Sequence, residues 1–115
     1  MKKVEYSQIV RYKLKRLKEQ LIENFGIKVA KKTIDKILHA AESLEEFEEM
    51  GVRLSSIYSI ECDYRILHIS RNYLIYRIES DKVIIVEMFD EREDFIYKLF
   101  GIETLLQDGV DYWDD

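Results

Sequence analysis

Three apolar runs that follow one another between residues 64 and 90 constrain the fold of this 115-residue chain more than any other feature. They are rich in β-branched and aromatic residues and are separated by polar breaks at Arg71-Asn72 and at Ser80-Asp81-Lys82. Short runs of this composition, with turn-forming residues between them, are typical of consecutive β-strands. The sequence therefore predicts a three-stranded antiparallel meander.

The second turn of this meander determines which side chains share a face, because directly opposed residues lie on the same side of a sheet. A two-residue loop would place Glu87 on the same sheet face as Tyr76. We therefore expect a three-residue loop at 80–82, which makes one face purely apolar. That face would carry Leu74, Tyr76, Ile78, Ile84, Val86 and Met88. The other face would carry Tyr73, Ile75, Arg77, Val83, Ile85, Glu87 and Phe89. Since this second face is too apolar to meet water alone, we expect a helix at 93–100 or a partner chain to cover it.

Helical patterns precede three glycines, Gly26, Gly51 and Gly101, and the chain has no proline. In the first pattern the apolar residues are Val10, Leu14, Leu17, Leu21 and Phe25; in the second they are Ala30, Ile34, Ile37, Ala41 and Leu44. This spacing predicts two amphipathic helices, the first about five turns long and capped by Ser7. We expect a left-handed cap at each glycine, an antiparallel pairing of the two helices, and a short strand near Lys3–Tyr6.

Length and composition indicate one globular domain, with 47% hydrophobic and 36% charged residues, and the helical and strand patterns place it in the α+β class. No apolar run approaches the ~20 residues that a membrane-spanning helix needs, so we expect no membrane partner. Cys62 is the single cysteine, which excludes an intrachain disulfide and fits a reducing, cytoplasmic environment. We place the domain at residues 1–101 and an acidic tail at 102–115.

The net charge of −5 is unevenly distributed along the chain. Residues 1–36 contain eleven basic and four acidic residues, a net of +7, whereas residues 37–115 contain seven and nineteen, a net of −12. The basic third could approach phosphate or an acidic protein, or its lysines could simply be solvated on helix surfaces. The sequence leaves both interpretations open.

Signals of metal, cofactor or nucleophilic chemistry are weak. Neither His39 nor His68 has neighbours at metal-ligand spacing, and Cys62 has no identifiable base. The four glycines form no phosphate-binding loop. We therefore expect neither a metal nor a cofactor.

Arginine and tyrosine side chains in the second half of the chain are the remaining candidates for a functional site. Arginine forks bind phosphate and tyrosine rings stack on bases, so this set could bind RNA or DNA. Alternatively, Arg65 and Arg92 could pair with Asp94 or Glu87 across strand ends. The set comprises Arg53, Arg65, Arg77 and Arg92 with Tyr64, Tyr73, Tyr76 and Tyr97.

The order of these elements over residues 1–100 resembles the RelE/ParE superfamily of bacterial type II toxin–antitoxin toxins. The resemblance is carried by the stretch Gly51-Val52-Arg53-Leu54 after the second helix, the pair Tyr64-Arg65, the strand NYLIYRI at 72–78, and an ending formed by Arg92 and Asp94. It implies a two-helix hairpin packed on a small twisted antiparallel sheet with a short C-terminal helix. It also implies neutralisation by a cognate antitoxin, in a homodimer or a heterotetramer, and a role in plasmid stabilisation.

Within the superfamily, some members cut mRNA on the ribosome and others inhibit DNA gyrase without cutting anything. The run from Met88 to Phe95 has an aspartate where many nuclease relatives have a histidine, and a glutamate in place of one arginine. The strand NYLIY also lacks the arginine of the nuclease-type run GYRLVY. These departures favour a gyrase-directed toxin over an mRNA endonuclease, with a non-toxic interaction module as a third alternative.

The resemblance assigns roles to individual residues. A nuclease would use Arg65, Arg92 and Tyr97 for catalysis. Target or phosphate contacts would come from Arg53, Arg65, Arg77 and Arg92. Antitoxin contacts would come from the second sheet face, through Tyr73, Ile75, Val83 and Ile85.

Overall fold

A five-stranded sheet with a helical hairpin on one face forms the fold, described for residues 2–101 in a computed structural model. The strands are β1 (Lys3–Tyr6), β2 (Val52–Arg53), β3 (Tyr64–Ile69), β4 (Asn72–Ile78) and β5 (Lys82–Asp90). The helices are α1 (Gln8–Phe25), α2 (Ile27–Glu42), α3 (Leu54–Ile57) and α4 (Phe95–Phe100), with a 3₁₀ turn at Ser43–Glu45. The α+β class and the short C-terminal helix are confirmed. The sheet is mixed, however, because β1 pairs parallel to β5 in the order β1-β5-β4-β3-β2.

The helical hairpin forms as its periodicity predicts. The Ser7 hydroxyl accepts a hydrogen bond from the Val10 N–H at 3.2 Å, which satisfies a free donor in the first turn of α1. Gly101 ends α4 in the left-handed region, with φ 75° and ψ 21°. Gly26 also has a positive φ of 94°, but its ψ of 169° lies outside that region, so only Gly101 is the cap that the sequence predicts.

Gly51 serves a different purpose from the predicted left-handed cap, since its φ is not positive. A Cβ atom at this position would lie 2.7 Å from the Tyr76 ring and 2.8 Å from the Ile66 carbonyl oxygen. Glycine is needed here because the backbone passes too close to the sheet for any side chain. This contact joins residues 25 positions apart, which local sequence patterns do not reveal.

The meander forms from β3, β4 and β5, with two differences from its predicted turns. The first break lies one residue earlier than expected, because Ser70 and Arg71 form the two-residue turn and both have positive φ, 50° and 64°. The second turn is tighter than the predicted three-residue loop, since the Glu79 N–H donates to the Lys82 carbonyl at 2.8 Å.

A β-bulge in β5 explains why only half of the predicted register is correct. The pairs Tyr73 with Phe89 and Leu74 with Met88 are as predicted. Nearer the turn the register shifts by one, so Tyr76 opposes Ile85 and Val86 has no partner. A one-residue shift moves every side chain to the opposite face. Val83 and Ile85 therefore lie on the face that was predicted for Ile84 and Val86, and the prediction for these four residues is wrong.

Apolar side chains form one core on each side of the sheet. The helix-side core lies under α1 and α2 and comprises Val10, Ile37, Ala41, Leu44, Leu74, Tyr76, Val83, Ile85 and Met88. The far-side core comprises Leu54, Ile66, Ile75, Phe89, Phe95 and Ile96. Since Phe95 and Ile96 belong to α4, a helix of this chain covers much of the second face, which was one of the two predicted alternatives.

Candidate functional site

Arg53 and Arg65, two of the four candidate arginines, are directly opposed on β2 and β3. Arg65 also opposes Tyr76 on β4, so it lies on the helix-side face of the sheet. The two arginines line a shallow pocket of about 330 Å³. Its other lining residues are Ser55, Cys62, Asp63 and Ile78.

The Arg65 guanidinium holds the loop that precedes β2. Its Nη1 donates to the carbonyl oxygens of Gly51 at 2.8 Å and Glu49 at 3.3 Å. The Tyr76 hydroxyl donates to the Glu48 carbonyl and accepts the Gly51 N–H, each at 2.8 Å. Burial raises the pKa of this phenol, so it stays protonated and keeps both bonds. Arg65 is therefore engaged in fixing backbone geometry.

Arg77 and Arg92 each bind a carboxylate two residues away in the chain. Arg77 donates through Nε and Nη2 to Glu79 at 3.1 and 2.7 Å. Arg92 donates through the same atoms to Asp90 at 2.9 and 3.2 Å, and these bonds lower the pKa of the Asp90 carboxyl. The alternative pairing of Arg65 or Arg92 with Glu87 is wrong, because Arg65 binds loop carbonyls, Arg92 binds Asp90, and Glu87 binds Lys13 at 2.8 Å.

The structure does not bring together the three residues predicted for RNA cleavage. Arg65 opposes Tyr76 on β4. Asp90, two residues before Arg92, opposes Asn72, which lies four residues from Tyr76 along the same strand. Four strand residues span about 13 Å. Tyr97 lies on the exposed surface of α4, whose Phe95 and Ile96 belong to the far-side core, whereas Arg65 lies on the helix-side face. The trio therefore spans two ends and two faces of the sheet.

The four side chains predicted to contact an antitoxin are mostly buried. Val83 and Ile85 are fully buried in the helix-side core because of the register shift, so they do not line an open face. Ile75 is fully buried in the far-side core. Tyr73 is half-buried between His68 and Phe95, with ring centroids 4.7 and 5.0 Å away.

A groove that the sequence did not reveal lies between the helical hairpin and the β3–β4 turn. It encloses about 380 Å³, and Phe25, Leu21, Arg71 and Arg92 contribute apolar and basic groups to it, while Asp90 and Glu91 contribute carboxylates. Gln20, Asn24 and the buried Asn72 add amides to its wall. A break at Arg71-Asn72 was visible in the sequence, but the position of the turn opposite α1 depends on the tertiary fold.

The hairpin beside this groove is both basic and apolar at its surface. Helices α1 and α2 contain nine basic and four acidic residues, a net of +5. They also carry six large apolar side chains that are exposed to solvent. These are Ile9, Tyr12, Ile22, Phe25, Ile27 and Val29.

Within residues 2–101, no cluster of three or more His, Cys, Asp or Glu side chains has the arrangement to hold a metal ion. None of the helices in this range combines the length and apolar character needed to span a bilayer. The predicted acidic tail at 102–115 lies outside the described residues.

Comparisons with known proteins agree with this architecture. A family profile described as ParE toxin of type II toxin-antitoxin system, parDE, matches residues 4–95. Among solved structures, the chromosomal ParDE toxin–antitoxin system from P. aeruginosa contains a similar chain, with a TM-score of 0.66. The match covers 78% of this chain and 96% of that one at 13% identity, which shows a shared fold alone. No curated protein matches the sequence.

Proposed function

Because this chain belongs to the family of ParE toxins of type II toxin–antitoxin systems, we propose that it arrests growth by binding DNA gyrase in the cytoplasm. A cognate antitoxin is the partner that the family implies, and we propose that it neutralises the toxin by covering the hairpin and its groove. The toxin acts in this proposal as a protein ligand and cuts no RNA.

The placement of the arginines is the observation that carries this proposal. A nuclease without a metal needs free cationic groups close to one scissile phosphate, together with a group that moves protons. Here Arg65 is bound to loop carbonyls, Arg77 and Arg92 are bound to carboxylates, and Arg65 and Arg92 lie near opposite ends of the sheet. A guanidinium already bound to a carboxylate would have to exchange that partner for phosphate.

Charge favours the same proposal. Each phosphate that a protein neutralises adds affinity for a polyanion, so RNA-binding proteins benefit from a basic surface. This chain has a net charge of −5, and the segment around Arg92 contains Asp90, Glu91, Glu93 and Asp94. A polyanion approaching Arg92 would meet these carboxylates.

The hairpin is the surface that best fits an acidic, amphipathic antitoxin segment. Soluble proteins rarely expose large contiguous apolar patches unless a partner covers them. The hairpin combines a net charge of +5 with four exposed apolar side chains near its tip, Ile22, Phe25, Ile27 and Val29, and the adjacent groove contains Arg71 as well as Asp90 and Glu91. An acidic segment with apolar anchors would satisfy both features.

A gyrase supercoiling assay with the purified chain tests the proposed target. We expect inhibition that increases with toxin concentration and is relieved by the product of an adjacent short reading frame, if that product is the antitoxin. Full supercoiling activity at saturating toxin would contradict gyrase as the target. Growth that continues after the chain is induced in a bacterial host would favour the non-toxic interaction module.

Two exposed phenylalanines provide a matched test of the antitoxin surface. Phe25 lies at the hairpin tip and is 65% exposed, whereas Phe47 lies beyond α2 and is 59% exposed. We expect Phe25→Asp to weaken antitoxin binding at least tenfold in calorimetry, and Phe47→Asp to leave it unchanged. Equal effects of the two substitutions would contradict the assignment of this surface.

A further inference from the structure

The far side of the sheet carries an apolar pocket that the proposed function does not use. It encloses about 310 Å³ beside α3 and the first turn of α4. Met50, Val52 and Ile57 form its rim and are between 46% and 52% exposed, and the buried Ile66 and Phe95 also line it. Apolar side chains clustered around a concave site favour an apolar occupant.

Carboxylates lie around this pocket. Glu49 immediately precedes the rim residue Met50. An adjoining depression shares three aromatic walls with the pocket and adds one arginine and three carboxylates, namely Arg92, Glu91, Glu93 and Asp94. Residues 43–101 as a whole contain thirteen acidic and seven basic residues, a net of −6. An occupant of the pocket would therefore gain from positive charge as well as from apolar side chains.

The tip of the helical hairpin, residues 22–32, has the complementary character. Four apolar side chains are exposed there, namely Ile22, Phe25, Ile27 and Val29. The tip contains three lysines and one glutamate, a net of +2. Two of these lysines, Lys28 and Lys32, have no ion-pair partner within residues 2–101. The same chain thus carries both an apolar, basic projection and an apolar pocket in acidic surroundings.

The tip and the pocket lie at the same end of the sheet but on opposite faces. The tip faces the β3–β4 turn, because Phe25 and Arg71 line one groove. The pocket is lined by Leu67, His68 and Tyr73, which lie within three residues of the same turn. A two-fold axis parallel to the strands would exchange the two faces and keep this end in place. Two copies related by such an axis can therefore each place a tip on the other's pocket.

We propose that the free toxin forms a homodimer in which the hairpin tip of each chain covers the far-side pocket of the other. Each contact would join seven exposed apolar side chains and surfaces of opposite charge, and the two-fold axis would make the contact twice. The inference goes beyond the proposed function and does not depend on it. Antitoxin binding to the hairpin would require this dimer to open.

Sedimentation of complementary variants tests this arrangement in the full chain. Ile27→Asp makes the tip acidic and Ile57→Lys makes the pocket rim basic, at positions that are 72% and 51% exposed. We expect wild type to sediment as a dimer, at twice the 13.9 kDa of one chain. Each variant alone should dimerise at least about tenfold more weakly. An equimolar mixture should recover the dimer, because one contact is then unaltered and the other pairs the introduced aspartate with the introduced lysine.

Tyr12→Asp is the matched control for these substitutions. Tyr12 is 59% exposed on α1, about 20 Å along the helix from the tip, so its substitution should leave the dimer intact. A monomeric wild type, an equal loss with Tyr12→Asp, a tip or rim variant that dimerises normally, or a mixture that stays monomeric would each overturn the proposal. Assemblies that keep growing with concentration would indicate open head-to-tail contacts and would overturn the closed pair. Circular dichroism shows whether each variant is folded.

Discussion

The helix-side and far-side cores bury similar side chains by different means. Helices α1 and α2, of 18 and 16 residues, cover the first, and both the bulged half of β5 and Tyr76 point into it. The four-residue α3 and the six-residue α4 cover the second, largely through aromatic contacts of Phe95 with its neighbours Tyr58, Tyr73 and Phe89. Long helices seal a face, whereas short ones leave an apolar rim that remains available to another segment.

The side chains that stabilise the fold and the side chains that remain exposed to a partner also lie in different parts of the molecule. The charged groups nearest the helix-side core are used to fix the backbone, as Arg65 does for the loop before β2. Exposed apolar groups lie at the hairpin tip and around the far-side pocket, where packing is incomplete. Segments with few buried contacts open with low free energy, which suits surfaces that exchange partners.

Two fully buried isoleucines test the contrast between the cores most strongly. Ile85→Ala should lower the free energy of unfolding by about 2–5 kcal/mol, because it leaves a cavity under α1. Ile96→Ala removes the same atoms from α4, and we expect a smaller loss, since the six-residue α4 can detach locally. Urea unfolding measures both losses. A larger loss for Ile96→Ala would show that the far side is the better sealed face.

The contact between Gly51 and Tyr76 provides the next largest effect. Gly51→Ala would place a Cβ atom 2.7 Å from the Tyr76 ring and hydroxyl, and overpacking of this kind costs about 1–3 kcal/mol. Tyr76→Phe removes the hydroxyl that binds Gly51 and Glu48, which also costs about 1–3 kcal/mol. We expect the double variant to lose less than the sum of the two, as measured by chemical denaturation. Strict additivity would mean that the two residues do not interact.

The β3–β4 turn at the groove predicts a stabilising substitution. Arg71 has a φ of 64°, a conformation that is strained for residues other than glycine, and glycine is favoured at this position of a two-residue hairpin turn. Arg71→Gly should therefore raise the free energy of unfolding by about 0.5–1 kcal/mol. If the variant is more stable but binds the antitoxin less tightly, Arg71 contributes to the groove; if both properties are unchanged, the turn is neither strained nor functional.

The smallest expected change in the free energy of unfolding is the one caused by acid titration of the Asp90–Arg92 ion pair at the end of β5. The hydrogen bond from Arg92 lowers the pKa of Asp90 below its ordinary value of 3.8 in the folded state. This contribution to stability is present above pH 3.8 and is lost as the pH falls through the folded-state pKa. The stability difference between wild type and Asp90→Asn should therefore shrink between pH 5 and pH 2. A difference that stays constant across this range would contradict the pairing.

Local sequence signals predicted the parts of the fold that depend on local physics. Periodic leucines and the Ser7 cap were sufficient for α1, and β-branched runs were sufficient for β3 to β5. The bulge at Val86 has no local signature, so the register of Val83 and Ile85, and with it their predicted role, could not be read from the sequence. The glycine requirement at Gly51 and the groove beside Arg71 arise from contacts between distant segments.

Mapping of mRNA 5′ ends after induction tests the central claim, that this toxin stops growth without cutting RNA. We expect growth to stop while translated messages keep their original 5′ ends, because Arg65 and Arg92 are bound to other groups and lie at opposite ends of the sheet. New 5′ ends inside translated codons that disappear with Arg92→Ala would contradict the account and place a ribonuclease site at this residue.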